Sequence, residues 1–136
     1  MHATDLLLLE AVERTGARRV LIDSLTDLKL ASPDEIRFRE YMYSLVQRLS
    51  RQGVSMFMTS ELPDLFHVRR LSEFGVSHLS DNVVLLQYTR DGATVRRALT
   101  VLKTRASRHE PETREFKITP EGIVLGEPFA PAQNFD

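Results

Sequence analysis

Val20-Leu21-Ile22-Asp23-Ser24 is an unbroken apolar run that ends on an acid. A strand with one wet face alternates polar and apolar residues. This run does not, so it reads as a strand buried on both faces, as in a parallel sheet covered by helices. A second apolar run spans Val54 to Thr59 and has the look of a central strand. Between them, Ser32-Pro33-Asp34-Glu35 reads as a helix start, with Ser32 as N-cap, proline at the first helical position and Glu35 three residues after the cap. Ile36, Tyr41, Met42, Leu45, Val46 and Leu49 then share one side of a helix, and Gly53 closes the pattern. Ahead of the first strand, Thr4 precedes a shorter helical pattern through Leu6, Leu9, Val12 and Glu13, with Gly16 where a left-handed C-cap belongs. The order helix, strand, helix, strand predicts a parallel sheet with right-handed helical crossovers.

The C-terminal part changes character. Val83 to Thr89 and Thr94 to Leu102 flank Asp91-Gly92, a short-range hairpin signal. Arg114 to Ile118 alternates like a half-exposed strand, and Thr119-Pro120-Glu121-Gly122 fits a type I turn. The stretch 128–136 has proline twice and no periodicity, so it reads as a loosely held tail. The expected class is α/β, with a mostly parallel sheet and a C-terminal antiparallel hairpin. At 136 residues and 42% apolar content, one domain is expected.

Charge and composition exclude several classes of partner. A net charge of −1 gives no global attraction to nucleic acid or anionic lipid. From Phe66 to Lys117 there are ten Lys or Arg against six Asp or Glu, which makes this stretch mildly cationic. Zero cysteines leave neither disulfides nor thiolate metal sites. The apolar run Leu6 to Leu9 is far short of the roughly 20 residues of a membrane span, and no basic stretch precedes it. A cytoplasmic protein with locally recognised partners is the expectation.

Three clusters bear on chemistry. Asp23 ends a parallel strand on the side where open α/β sheets bind ligands, and a carboxylate there suits magnesium; capping of the following turn with Ser24 is the alternative. No Gly-x-x-x-x-Gly-Lys-Ser/Thr occurs, and none of Lys29, Lys103 and Lys117 follows a glycine. Lys103-Thr104-Arg105-Ala106-Ser107-Arg108-His109 leaves a strand with its cations and hydroxyls close together; it reads as an anion clamp or as an exposed cationic loop. His2, His67, His78 and His109 show no zinc spacing, and Ser24 lies in no nucleophile elbow.

Arg18 to Leu25, with Arg19-Val20-Leu21-Ile22-Asp23-Ser24-Leu25 at its centre, Ser80 to Tyr88 and Arg97 to Ile118 together resemble the KaiC family of RecA-like ATPases. The resemblance implies a partial RecA-like P-loop NTPase fold, with residues 1–127 matching the C-terminal half of one domain after its phosphate loop and paired catalytic glutamates. It implies that Asp23 is the Walker B carboxylate on the magnesium side. Lys103 and Arg105 would be a finger on the γ-phosphate of an adjacent protomer's ATP, and Thr104, Ser107, His109 and Thr119 would line that nucleotide. ATP and magnesium are the implied cofactors, with weak or absent binding by this chain alone. The implied partner is a second copy or a full-length relative. Ala106 stands where the family usually has glycine, and Pro120 at a commonly acidic position. Ser77 and His78 match the phosphorylated pair of circadian members, so a general signalling ATPase is implied rather than a clock autokinase. In the RecA-like order a phosphate-loop strand lies between Val54–Thr59 and Val83–Thr89; its absence predicts open strand edges and self-association. A non-enzymatic interaction module is the second reading. A recombinase-like paralogue, resting on Arg69-Arg70 and Arg96-Arg97, is the third.

Overall fold

The computed structural model describes residues 3–61, 79–104 and 112–129. The chain divides into two compact units, 1–61 and 62–136.

In the first unit, α1 (Ala3–Thr15) leads to β1 (Arg19–Ile22), α2 (Leu25–Leu30), α3 (Glu35–Arg51) and β2 (Ser55–Met58). β1 and β2 pair in parallel, from Arg19 opposite Ser55 to Ile22 opposite Met58. The alternation of helix and strand forces this pairing, because a crossover of this length returns the chain in the same direction. Met42, Leu45 and Leu49 are buried along one side of α3, which packs on β2. Val12, Leu25 and Val54 complete this core.

Two local expectations need correction. The N-cap of α3 is Asp34, not Ser32: its Oδ1 accepts from the N–H groups of Ile36 at 3.0 Å and Arg37 at 3.4 Å. An ionised carboxylate accepts more strongly than a hydroxyl and suits the positive end of the helix, so the helix begins after the aspartate and Pro33 stays outside it. Second, β1 is not buried on both faces. Val20, Ile22, Met56 and Met58 are partly covered, whereas Leu21 and Phe57, opposite each other in the ladder, are 63% and 69% exposed. An apolar run predicts burial only if both faces have a layer, and among the described residues one face of this pair lacks it.

The second unit is an antiparallel sheet in the order β3 (Val83–Asp91), β4 (Thr94–Lys103), β5 (Arg114–Thr119), β6 (Gly122–Pro128). The expected hairpin is its first half. Its loop is Gly92-Ala93, with Gly92 at φ +61° and no positive φ at Ala93, the φ combination of a type II′ turn. The register slips between Val83 and Val84, so Leu102 is an extra residue just before Lys103. Pro120-Glu121 joins β5 to β6. β6 takes in Pro128 from the stretch that composition reads as a tail, and the Phe129 N–H donates to the Thr113 carbonyl at 2.9 Å. Among the described residues, β2 has no ladder partner besides β1, and β3 none besides β4.

Candidate functional site

The parallel register places the C-terminal ends of β1 and β2 side by side. The ladder runs one step past the strands: the Thr59 N–H donates to the Ile22 carbonyl at 3.0 Å, and the Thr59 carbonyl accepts from the Leu25 N–H at 2.8 Å. Asp23 and Ser24 lie between those two bonds, joined by a cis peptide. The Asp23 side chain is exposed, and its Oδ1 accepts the Thr59 hydroxyl at 2.7 Å.

Ser24 is the N-cap of α2 and is buried; its hydroxyl donates to Oδ2 of Asp27 at 3.1 Å. The cap position therefore belongs to Ser24, and the Asp23 carboxylate is turned toward Thr59 instead. In the first turn of α2, Thr26 Oγ1 accepts the Glu61 N–H at 2.9 Å, which ties the segment leaving β2 to the same helix. Sequence reading missed α2, Thr59 and Thr26. The signal was present: two parallel strands end together, so the residues that follow the two apolar runs, Asp23 and Thr59, had to be neighbours.

Magnesium is the cation implied at Asp23, and the donor chemistry fits it. The groups near this strand end are the carboxylates of Asp23 and Asp27, the latter bonded to the buried Ser24 hydroxyl, and the hydroxyls of Thr26 and Thr59, all hard oxygen atoms. Among the described residues no three His, Cys, Asp or Glu gather as a metal cluster. A cation here would take one carboxylate from this chain and the rest of its shell from water and phosphate oxygens, as magnesium does in nucleotide sites.

The other predicted site residues lie in the second unit. Lys103 ends β4, and Thr104 follows it with Oγ1 donating to Asn82 Oδ1 at 3.0 Å. Asn82, just ahead of β3, was not singled out from sequence. The Thr119 hydroxyl works within its own turn, donating to the Gly122 carbonyl at 3.0 Å and accepting the Glu121 N–H at 3.3 Å. Arg105, Ser107 and His109, like Ser77 and His78, lie outside the described residues. Arg69-Arg70 lies outside them too, whereas Arg96 and Arg97 are on β4.

A family model described as "ATPase: KaiC" matches residues 1–129. The chain belongs to the KaiC ATPase family. Among its relatives, the circadian clock protein KaiC3 of Synechocystis sp. is 31% identical over 124 residues, covering 91% of this chain and 24% of that protein. A UPF0273 protein of Aeropyrum pernix is 29% identical over 119 residues, covering 88% of this chain and 46% of that protein. The crystal structure of a KaiC-like protein from Pyrococcus horikoshii superimposes with a TM-score of 0.75 at 26% identity, over 91% of this chain and 53% of that one. This KaiC-family chain thus has the α/β architecture of a KaiC-like RecA-fold protein and spans about a quarter to a half of these relatives' lengths. None of its described helices is long and apolar enough to cross a membrane.

Proposed function

We propose that this chain contributes two parts of an ATP site, the cation-side carboxylate Asp23 and an intersubunit finger of Lys103 and Arg105, to an assembly that also holds a phosphate-binding loop. The observation that carries the reading is the hydrogen bond from Thr59 to Asp23 at the carboxyl end of the parallel pair. It turns an exposed acid into an oriented ligand at the edge of the sheet where open α/β folds bind nucleotides. Magnesium, when bound there, would neutralise phosphate charge.

The chain's own residues then have separate tasks. Asp23 offers one carboxylate oxygen while Thr59 occupies the other. Lys103 and Arg105 bring positive charge to a neighbouring protomer's γ-phosphate, where it stabilises the transferring group. Thr104 is anchored on Asn82, Ser107 and His109 are the further residues proposed to line that nucleotide, and Thr119, its hydroxyl already engaged, contributes least. Without a Gly-x-x-x-x-Gly-Lys segment the sequence lacks the backbone cradle that grips phosphate, so it should bind ATP weakly and hydrolyse none alone. Partner and chain are expected in one compartment, the cytoplasm.

One observation favours a second reading, a non-enzymatic module that joins family members. Val84, Leu86 and Tyr88 on β3 and Val95 on β4 share one face of the antiparallel sheet and are all exposed, as are Ile118 and Ile123 further across. Exposed apolar side chains grouped in this way, with Arg97 over Tyr88 and Arg90 opposite Val95 among them, favour an interaction surface, here for a neighbouring protomer of the same family.

The test adds purified chain to a hydrolysis-competent KaiC-like relative. The ATPase reading expects a changed rate that Arg105→Ala lowers by at least tenfold, as loss of a finger does, and no submicromolar ATP binding by the chain alone in calorimetry. An equal rate for wild type and Arg105→Ala overturns the finger; binding without any rate effect supports the joining module.

A further inference from the structure

Asp23 is exposed, and an exposed carboxylate ordinarily samples several rotamers. Here its freedom is removed by a residue on the neighbouring strand. Thr59 is fixed at both backbone ends, through its N–H to Ile22 and its carbonyl to Leu25. Its side chain is β-branched, so χ1 is restricted and the hydroxyl has few directions open to it. That hydroxyl donates to Asp23 Oδ1 at 2.7 Å, across a sequence separation of 36 residues. Thr26 holds the Glu61 N–H, so the backbone leaving Thr59 is tied to α2 as well.

We infer that Thr59 is the positioning residue for Asp23: by occupying Oδ1 it fixes the carboxylate and presents Oδ2 as a single oriented ligand for a hard divalent cation. The inference rests on the reading of Asp23 as the cation-side carboxylate. A small cation with strict octahedral demands gains from a ligand that needs no reorientation, and hydrogen-bond partners of ligands typically change metal affinity by about 10 to 100-fold. A valine at position 59 keeps the branched shape and loses the donor. Serine keeps the donor.

The probe is Mn²⁺ alone, added to the full chain and followed by paramagnetic broadening of the Asp23, Ser24 and Thr59 amide signals, a readout independent of hydrolysis. Broadening is expected at these amides in the wild type. Thr59→Val should need about tenfold more Mn²⁺ for the same effect, Thr59→Ser should restore most of the response, and Asp23→Asn should abolish it. If Asp23→Asn abolishes broadening while Thr59→Val titrates like wild type, the positioning role is overturned and the reading of Asp23 stands. If Val and Ser lose it equally, packing rather than the hydroxyl is responsible, which also overturns it. If Asp23→Asn broadens unchanged, both fall together. Amide shifts of Ile22 and Leu25 report whether the strand end is intact in each variant, and Thr59→Ala takes the place of the valine if that variant does not fold.

Discussion

Arg96 on β4 lies diagonally across the ladder from Glu115 on β5 and donates to one carboxylate oxygen, Oε2, from both Nε, at 3.0 Å, and Nη2. Among the described residues, the backbone register between these strands extends over two residue pairs, Ala98 with Glu115 and Leu99 with Arg114. Side chains therefore carry much of this junction. The Thr100 and Thr113 hydroxyls add a bond of 2.8 Å, and Phe129 lies under the Arg96 guanidinium at 4.6 Å.

The hydrogen bond from Arg96 holds the Glu115 carboxyl below its usual range, against the opposing effect of burial. A carboxyl whose pKa is lowered on folding stabilises the fold above its unfolded value, about 4.3, and that contribution disappears as pH falls through the lower folded value. Glu115→Gln should therefore lower the stability of the second unit near neutrality and flatten its loss in acid. Urea midpoints followed by the NMR signals of Ala98 and Phe116 between about pH 7 and about pH 3 check this; parallel curves for the two proteins would refute it.

The cap of α3 separates two neighbouring residues. Asp34→Ala removes the acceptor for two helix N–H groups and should cost about 1 kcal/mol. Ser32→Ala should cost less than about 0.5 kcal/mol, because Ser32 Oγ donates only to the Asp34 carbonyl at 3.3 Å. Thermal denaturation of both variants decides between them, and the reverse order would restore Ser32 as the cap.

That cap shows where sequence reading fails. β1, β2, α3 and the hairpin were legible because each imposes a period or a turn on many residues. Asp34 and Ser32 are both good caps two positions apart, and choosing between them depends on which acceptor meets the helix N–H groups in three dimensions. α2 has only six residues and follows the strand at once, too short to display a period. The exposure of Leu21 and Phe57 was illegible for a different reason: residue type records what a side chain prefers, not whether a covering layer is there. At the candidate site Asp23 stood out by its strand end. Thr59 did not, since a threonine closing an apolar run attracts no notice until the two runs are set in register.

Leu49 is fully buried and Phe57 is mostly exposed. Leu49→Ala should destabilise the first unit by about 2–5 kcal/mol, as cavities in packed cores do. Phe57→Ser should leave stability nearly unchanged and instead reduce self-association, which the open Leu21 and Phe57 pair favours in the wild type. Light scattering over a dilution series, beside chemical denaturation, measures both effects. A wild-type chain that stays monodisperse and monomeric at every concentration would count against association through this face.

The two sheets differ in how far apart in the chain their partners lie. β3 meets β4 through a two-residue loop, with Asp91 opposite Thr94, and the remaining strands follow in chain order. β1 must find β2 across two helices, with Arg19 opposite Ser55. Closing that longer loop costs more entropy before any contact rewards it, so the meander is the quicker element to assemble and the parallel pair the slower. The longer closure implies that the strand end joining Asp23 to Thr59 forms after the β3–β4 hairpin, so an acid and its hydrogen-bond partner depend on a contact that local chain proximity does not provide.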